Sequence, residues 1–298
     1  MLDVIWGKES ERMKEMMMLK SDKVKKHNIT WILLIPATLY VITFLIYPMI
    51  NMVKLSFQTK TGEFTLSNYS YILTDPTVQK VFLETVKISL VVMLICLLLG
   101  YPVAYVMTIC SRKVRSLMTL CIMIPFWTSL LVRTYAWVIL LQNQGIVNQT
   151  LINWGIIQEP ITMMYNTTGL VIGMTHVMLP YMILSLYSVM DGIDRNLVTA
   201  SANLGANGVV TFFKVYFPLS LNGVIAGCVL VFVLNLGFYI LPSLMGSPDN
   251  MMVSQMIATQ VNKLLNWNMA SALSFVLLAV TLILVGTAQR VFHIDKLM

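Results

Sequence analysis

The sequence predicts an all-α integral membrane protein with six transmembrane helices, and three observations predict this fold class. Only 11% of the 298 residues are charged, whereas soluble domains average about 25%. The mean hydropathy is +0.77, and six apolar runs each approach the ~20 residues that a helix needs to cross a bilayer. Finally, Lys and Arg are distributed unequally between the segments that separate these runs.

The predicted spans are apolar runs that are bounded by polar or turn-forming segments. Helices are expected because such long runs lack the alternating pattern of a membrane β-barrel. Prolines inside or at the edges of the spans are expected to kink them. The spans cover approximately residues 29–52, 83–110, 116–141, 168–190, 222–245 and 268–291.

The first 28 residues mix acidic and basic side chains and contain no apolar core of a signal peptide. They are therefore predicted to form a charged cytoplasmic tail (1–28) before a single transmembrane domain (29–298). The basic cluster Lys23, Lys25 and Lys26 directly precedes the first span, and anionic lipid attracts such clusters. The tail is either solvated without a specific role or lies along the inner leaflet.

The orientation follows from the basic residues. If the spans alternate in direction, the tail, the 111–116 loop, the 191–221 loop and the C-terminal end share one side of the membrane. That side carries 14 of the 20 Lys and Arg residues. Because basic residues accumulate in cytoplasmic loops, both termini are predicted to be cytoplasmic. The formal charge of +7 is explained in the same way, without nucleic acid as a partner.

Several classes of activity lack support in the sequence. The chain has no HExxH, GxSxG or phosphate-binding Gly-Lys-Ser/Thr motif, and its four Cys and three His form no metal-binding pattern. No catalytic residue, cofactor or metal is predicted. The span centres contain no Asp or Glu, and ion-coupled carriers usually need carboxylates there. A membrane-embedded enzyme and a self-sufficient secondary transporter or channel are therefore the weaker alternatives.

Residues 191–221, one of the few long polar segments between two spans, have an internal pattern. Leu197, Ala200 and Leu204 recur at helical spacing, and Gly205 is predicted to end this helix in a left-handed conformation. A second short apolar helix is predicted over 210–217, before Pro218. Such a helix–turn–helix with small residues suits docking into a groove of a partner, whereas a plain connection between two spans is the alternative.

This segment resembles the "EAA" coupling loop of ABC importer permeases. Thr199, Ala200 and Ser201 occupy the triplet, Gly205 the glycine, and Pro218 the proline near the end of the motif. Three further segments, 124–141, 145–157 and 179–194, resemble the first-type permease of spermidine/putrescine ABC transporters. The resemblance runs from about residue 30 to the C-terminus.

The resemblance implies a type I ABC importer permease in the bacterial cytoplasmic (inner) membrane, in contact with membrane lipid. It would form the translocation pathway with a second permease subunit. Two cytoplasmic ATPase subunits would use ATP, and an extracytoplasmic binding protein would deliver the ligand, a polyamine such as spermidine or putrescine. Another small organic ion or iron is the alternative ligand. The implied ATPase-coupling residues are Thr199, Ala200, Ser201, Leu204, Gly205, Ala206 and Pro218.

One position departs from the family pattern. The triplet usually begins with Glu, and here Thr199 takes its place. A charge-assisted contact of about 1.5–3 kcal/mol with the ATPase would then be missing. Either the partner ATPase is adapted to this loop or coupling is weaker. Asp191 and Asp194 are candidate substitutes for the missing charge.

Five residues are candidates for the substrate pathway, because a polyamine cation would favour aromatic faces. Structural packing is the alternative explanation for the aromatic residues. The arginine would repel a cation if it faced the pathway, and it could instead pair with a neighbouring subunit. The candidates are Tyr101, Trp127, Arg133, Tyr135 and Trp137.

Overall fold

The structure, a computed structural model, describes residues 34–292, apart from the side chains of residues 289, 291 and 292. The charged tail and its predicted contact with lipid lie outside the described residues, and the predicted division at residue 28 stays a prediction. The described residues form twelve α-helical segments: α1 (Leu34–Ser56), α2 (Ser67–Thr74), α3 (Pro76–Ile109), α4 (Arg112–Met123), α5 (Leu130–Leu141), α6 (Ile146–Asn153), α7 (Thr167–Met190), α8 (Arg195–Asn203), α9 (Gly208–Leu236), α10 (Ile240–Met245), α11 (Val253–Asn262) and α12 (Trp267–Phe292).

The chain divides into two units after residue 55, and the structure describes residues 34–55 of the first and 56–292 of the second. In the first unit, α1 is apolar and long enough to span a membrane. It contains a π-helical turn at Ile42–Ile46, in which the N–H of Tyr47 bonds the carbonyl of Ile42. Pro48 follows directly. The wider turn accommodates a proline, which lacks an N–H and whose ring would clash with a carbonyl four residues earlier.

The core of the second unit is built from α3, α7 and α9. Helix α7 is buried on most of its surface, and its most enclosed side chains recur every fourth residue. These side chains are Met174, Met178, Met182, Leu186 and Met190, each at most 2% exposed. Methionine fills irregular gaps between helices, so the many buried Met residues of α7 serve packing.

Two glycines let α9 approach α7 closely. A Cβ atom at Gly223 would lie 3.0 Å from Val189 Cβ, and one at Gly227 would lie 2.7 Å from Met182 Sδ. The spacing of four residues places both glycines on one face of α9. Small residues at this spacing are typical of close contacts between membrane helices.

The third predicted span, 116–141, is not one continuous helix, and it bends just after Pro125, one of the prolines that are predicted to kink the spans. The segments Arg112–Trp127 and Leu130–Asn153 meet at an angle of 97°. The α-helix gives way to a 3₁₀ turn that contains Pro125, and Thr128 and Ser129 then have extended backbones. A proline without an N–H donor, followed by two extended residues, interrupts the hydrogen-bond ladder of the helix.

The fifth predicted span, 222–245, is wrong at both ends, because the observed helix begins earlier in the chain and also ends earlier. The structure has one helix over Gly208–Leu236, and the short helix predicted over 210–217 is the first part of it. Pro218 lies inside this helix because a π-helical turn at Phe212–Tyr216 precedes it, as in α1. The helix ends at Gly237, and α10 is a separate segment.

A smaller apolar cluster joins α2 and the start of α3 to α12. Ile72, Val78, Ala272 and Leu273 are nearly fully buried there. The Thr85 hydroxyl of α3 accepts a hydrogen bond of 2.9 Å from the backbone N–H of Val253, at the start of α11. This cluster holds α2, α11 and α12 at the N-terminal end of α3, whereas α8 lies at its C-terminal end.

Candidate coupling site and translocation pathway

Helix α8 is capped at both ends by local interactions. The carboxylate of Asp194 accepts a hydrogen bond from the N–H of Asn196 at 2.9 Å and so caps the N-terminus. At the other end, the N–H of Gly205 bonds the carbonyl of Ala202, and that of Ala206 bonds Ser201. Gly205 has φ +86°, which confirms the predicted left-handed helix stop.

The turn after α8 leads directly into α9. The side-chain oxygen of Asn207 accepts a hydrogen bond from the N–H of Val210 at 2.9 Å, which caps α9. The hydroxyls of Ser201 and Thr211 are 3.0 Å apart and connect the two helices. The segment is therefore a helix–turn–helix, although its second helix continues as a membrane-spanning helix.

The predicted coupling residues lie in two places. Thr199 through Ala206 form the second half of α8 and the turn, whereas Pro218 lies ten residues inside α9. The Thr199 hydroxyl donates to the carbonyl of Arg195 at 3.3 Å, so it is used within its own helix. Leu204 is 89% exposed at the tip of the turn. The coupling role of these residues stays a prediction.

The surface around this turn is apolar as well as exposed. Leu197, Leu204, Val209 and Phe213 all expose large parts of their side chains. Exposed apolar side chains that cluster on one segment are typical of a contact surface for another protein or for a membrane.

A cavity of about 660 Å³ opens beside α8, between it and the ends of α3 and α7. Thr199 and Ala206 are the predicted coupling residues that line it. Its charged residues are Arg115, Asp191 and Arg195. From the sequence, Arg115 and Arg195 are only two of the basic residues on the predicted cytoplasmic side, because no local motif marks them.

The arginines bind the last turn of α3. Arg195 donates through Nη2 to the carbonyl of Thr108. Arg115 donates through Nε to the carbonyl of Met107 at 3.0 Å and through Nη2 to that of Thr108 at 3.4 Å. Arg115 Nη1 also lies 3.4 Å from Asp191 Oδ1. The two candidate substitutes for the missing Glu thus have partners already, since Asp194 caps α8 and Asp191 pairs with Arg115.

Tyr101 lies in an aromatic cluster near the start of α9. Its ring contacts those of Phe212 and Phe217, with centroids about 6 Å apart, and its hydroxyl is hydrogen-bonded to that of Ser220 at 2.8 Å. Tyr105 also packs against Phe212. Tyr101 therefore connects α3 to α9, and its contacts differ from those of the other four pathway candidates.

Arg133 and Trp137 are one helical turn apart on α5 and share a face. Trp137 donates through Nε1 to Nδ1 of His176 in α7 at 3.1 Å. Arg133 lines a small void of about 20 Å³ beside Phe126 and Tyr181, and its Nε has no hydrogen-bond partner among the described residues. Ionisable groups inside a membrane usually mark a functional site.

Trp127 and Tyr135 are the two remaining pathway candidates. Trp127 is 87% exposed at the end of the 3₁₀ turn, and Tyr135 is 54% exposed on α5. Neither contributes to the buried core. Their role in a pathway stays a prediction.

Comparison with known proteins decides the family. Residues 96–293 match the family described as "Binding-protein-dependent transport system inner membrane component". The chain belongs to this family. It is thus a multi-pass inner-membrane permease component of a binding-protein-dependent ABC importer. The match includes α7, α8 and α9, the helices that form the site described above.

Relatives of known name match most of the chain. The spermidine/putrescine transport system permease protein PotB of Escherichia coli (strain K12) is 33% identical over 244 residues, which are 80% of this chain and 88% of that protein. The PotB protein of Haemophilus influenzae is 33% identical over 257 residues, which are 84% and 90% of the two chains. The inner membrane ABC transporter permease protein YdcU of Escherichia coli (strain K12) is 30% identical over 251 residues, or 80% and 79%.

Solved structures share the fold. A bacterial ABC transporter that imports the acidic polysaccharide alginate has a TM-score of 0.70 at 15% identity, over 91% of this chain and 96% of that one. The alginate transporter in complex with a pentasaccharide-bound periplasmic protein has a TM-score of 0.71 at 17% identity, over 90% and 95%. These likenesses confirm the predicted all-helical importer fold.

Proposed function

We propose that this chain is a permease subunit of a polyamine importer and carries spermidine or putrescine across the inner membrane with a second permease subunit. The observation that supports this most directly is the 33% identity to spermidine/putrescine permeases over nearly the whole length of those proteins. An extracytoplasmic binding protein delivers the polyamine, and both termini of the permease are cytoplasmic.

We further propose that α8 and the turn at Gly205 dock on a cytoplasmic ATPase. Two ATPase subunits, one for each permease, use the ATP, and this chain binds no nucleotide itself. The exposed apolar residues around Leu204 support a protein contact, and the left-handed Gly205 gives the turn its tight shape. Because Thr199 replaces the usual Glu, this docking relies on shape and apolar contact more than on charge.

Uptake into liposomes tests the proposal. The purified complex of this chain, a second permease, the ATPase and the binding protein is expected to take up spermidine and putrescine only when ATP is present. A Gly205→Asp variant adds a side chain at a positive φ in the docking turn. We expect its uptake to fall about tenfold or more while the complex still assembles, the scale of a lost coupling free energy.

Gly62→Asp is the matched control. Gly62 also has a positive φ, of +87°, and has open space around it, but it lies in the loop between α1 and α2. If both variants lose uptake equally, backbone strain rather than docking is responsible. ATP-dependent uptake of an iron complex or another small organic ion without polyamine uptake would keep the importer and discard the polyamine. A wild-type chain that binds no ATPase would contradict the coupling proposal itself.

A further inference from the structure

Helix α8 is held to the rest of the protein by polar contacts more than by apolar burial. Every residue of α8, all of which the structure describes, remains at least partly exposed. Val198 is the residue of α8 that packs against the apolar core, and it is only partly buried, so the helix gains little from the hydrophobic effect. Its position therefore depends on hydrogen bonds to its neighbours and on the short connections at its two ends.

One of these contacts is made with the last turn of α3. The final carbonyls of a helix have no partner within the helix and carry a partial negative charge. The carbonyls of Met107 and Thr108 belong to this turn, and both residues are buried. Arg195, the first residue of α8, donates to Thr108, and Arg115 donates to both carbonyls.

Further contacts join other helices at the same point. The ion pair of Arg115 and Asp191 connects the start of α4 to the end of α7. The hydroxyl of Tyr216 in α9 lies 3.2 Å from Oγ1 of Thr108 and is hydrogen-bonded to it. The last turn of α3 is thus the place where α4, α7, α8 and α9 meet.

We propose that Arg115 and Arg195 form an arginine clamp on the carbonyls of Met107 and Thr108 that makes α8 move together with α3. In this clamp Arg195 joins α8 to α3. Arg115 holds the same turn of α3 to the start of α4 and to Asp191. The two arginines are then positioning residues for transport. A displacement of α8 by an ATPase reaches the membrane-spanning core through α3, in addition to the covalent connections to α7 and α9. This proposal rests on the proposed function of α8 as the docking helix.

The first experiment measures how strongly ATP hydrolysis is coupled to uptake. Arg195→Met and Arg115→Met each remove the guanidinium and keep an apolar chain. In the full complex in liposomes, we expect uptake per ATP hydrolysed to fall about tenfold in each variant, within the usual range of coupling between sites. Arg195→Lys, which retains a donor and the charge, is expected to recover part of the loss. Arg112→Met is the control, since Arg112 is exposed in the same helix as Arg115.

The second experiment measures the clamp directly, with both arginines in place; Cys110, whose Sγ donates to the carbonyl of Met107, is replaced by Ser to keep a donor. Spin labels are attached at Val106→Cys in α3 and Asn203→Cys in α8, both exposed positions, after the four native Cys are replaced. With both arginines present, the distance between the labels is expected to stay constant between the nucleotide-free and nucleotide-trapped complex. In the Arg195→Met complex the distance distribution is expected to broaden.

The outcomes separate the two proposals. If the labels move apart by about half a helical turn, ~3 Å, in the trapped complex with both arginines present, the clamp is overturned, even if the Met variants fail to assemble. Met variants that retain full uptake per ATP and a narrow distance distribution overturn it as well. In both cases the wild-type complex still transports, so the proposed function stands. A wild-type complex without any ATP-dependent uptake contradicts the proposed function first.

Discussion

At the scale of single residues, glycines set how closely α7 and α9 approach each other. A methyl group at Gly223 would meet Val189 Cβ at 3.0 Å and the backbone carbonyl of Leu186 at 3.4 Å. At Gly227 the same group would meet the sulfur of Met182 at 2.7 Å, which is shorter. The shorter contact is nevertheless easier to relieve, because a thioether can rotate away and a backbone carbonyl cannot.

We therefore expect Gly223→Ala to destabilise the protein more than Gly227→Ala. Overpacking a helix contact typically costs about 1–3 kcal/mol, and Gly223→Ala should fall in this range. Gly286→Ala is the control, because Gly286 lies in α12 with open space around it. There alanine should be neutral or stabilise the helix by up to about 1 kcal/mol. Thermal unfolding in detergent measures which variant is less stable. Equal losses of stability in Gly223→Ala and Gly227→Ala would contradict the prediction.

A second prediction at this scale concerns Trp137. Its indole N–H donates to His176, so the residue has a structural partner within the protein. Trp137→Phe should cost about 0.5–1.5 kcal/mol of stability through the lost hydrogen bond. If packing is its only role, the KM for spermidine uptake should stay unchanged. A raised KM at unchanged stability would instead place Trp137 in the translocation pathway.

At the scale of elements, α8 depends on its capping residue. The carboxylate of Asp194 satisfies an N–H at the start of a helix that has few other contacts. The sequence leaves open whether Asp194 replaces the missing Glu of the coupling triplet or has a structural role. The cap observed here favours the structural role.

Two substitutions separate these roles. Asp194→Asn keeps a capping oxygen and removes the charge, whereas Asp194→Ala removes both. We expect Asp194→Ala to weaken α8 by about 1 kcal/mol, the usual cost of a lost cap, and to speed amide hydrogen exchange over residues 196–203. Asp194→Asn should exchange and transport like the wild type. Equal loss of uptake in both variants would show that the charge itself contacts the ATPase.

At the scale of the whole molecule, the relative direction of α3 and α7 settles the number of crossings in the second unit. Cys96 Sγ donates to the carbonyl of Thr175, and Gly100 packs against Met182. From the first contact to the second, the residue numbers rise in α3 (96 to 100) and in α7 (175 to 182), so the two helices run parallel. The chain between them must therefore return across the membrane, and the bent pair Arg112–Trp127 and Leu130–Asn153 is one broken span.

This topology places the segment that precedes α3, including the loop between α1 and α2, on the opposite side of the membrane from helix α8. In a chain without native Cys, Lys60→Cys should react with a membrane-impermeant maleimide added to intact spheroplasts. Asn203→Cys should react only after permeabilisation. Both residues are exposed, so burial cannot account for a difference. Labelling of both residues in intact spheroplasts would contradict the parallel arrangement of α3 and α7, and labelling of Asn203→Cys alone would contradict the proposed cytoplasmic location of α8.

The sequence by itself determined the membrane class, the all-helical fold and the family. These follow from local quantities: the length of apolar runs, the distribution of Lys and Arg, and motifs a few residues apart. The stop at Gly205 belongs to the same group, because a left-handed helix end depends on one residue and its nearest neighbours.

Only the tertiary structure decided the 97° angle of the bend in the third span, the continuous helix through Pro218 and the partners of the arginines. A proline can end a helix, bend it or follow a π-helical turn, and packing selects among these outcomes. Arg195 and Thr108 are 87 positions apart in the chain, and their contact exists only because α3 and α7 run parallel and end at the same level. Interactions between distant segments depend on how helices pack, and no local pattern of residues encodes them.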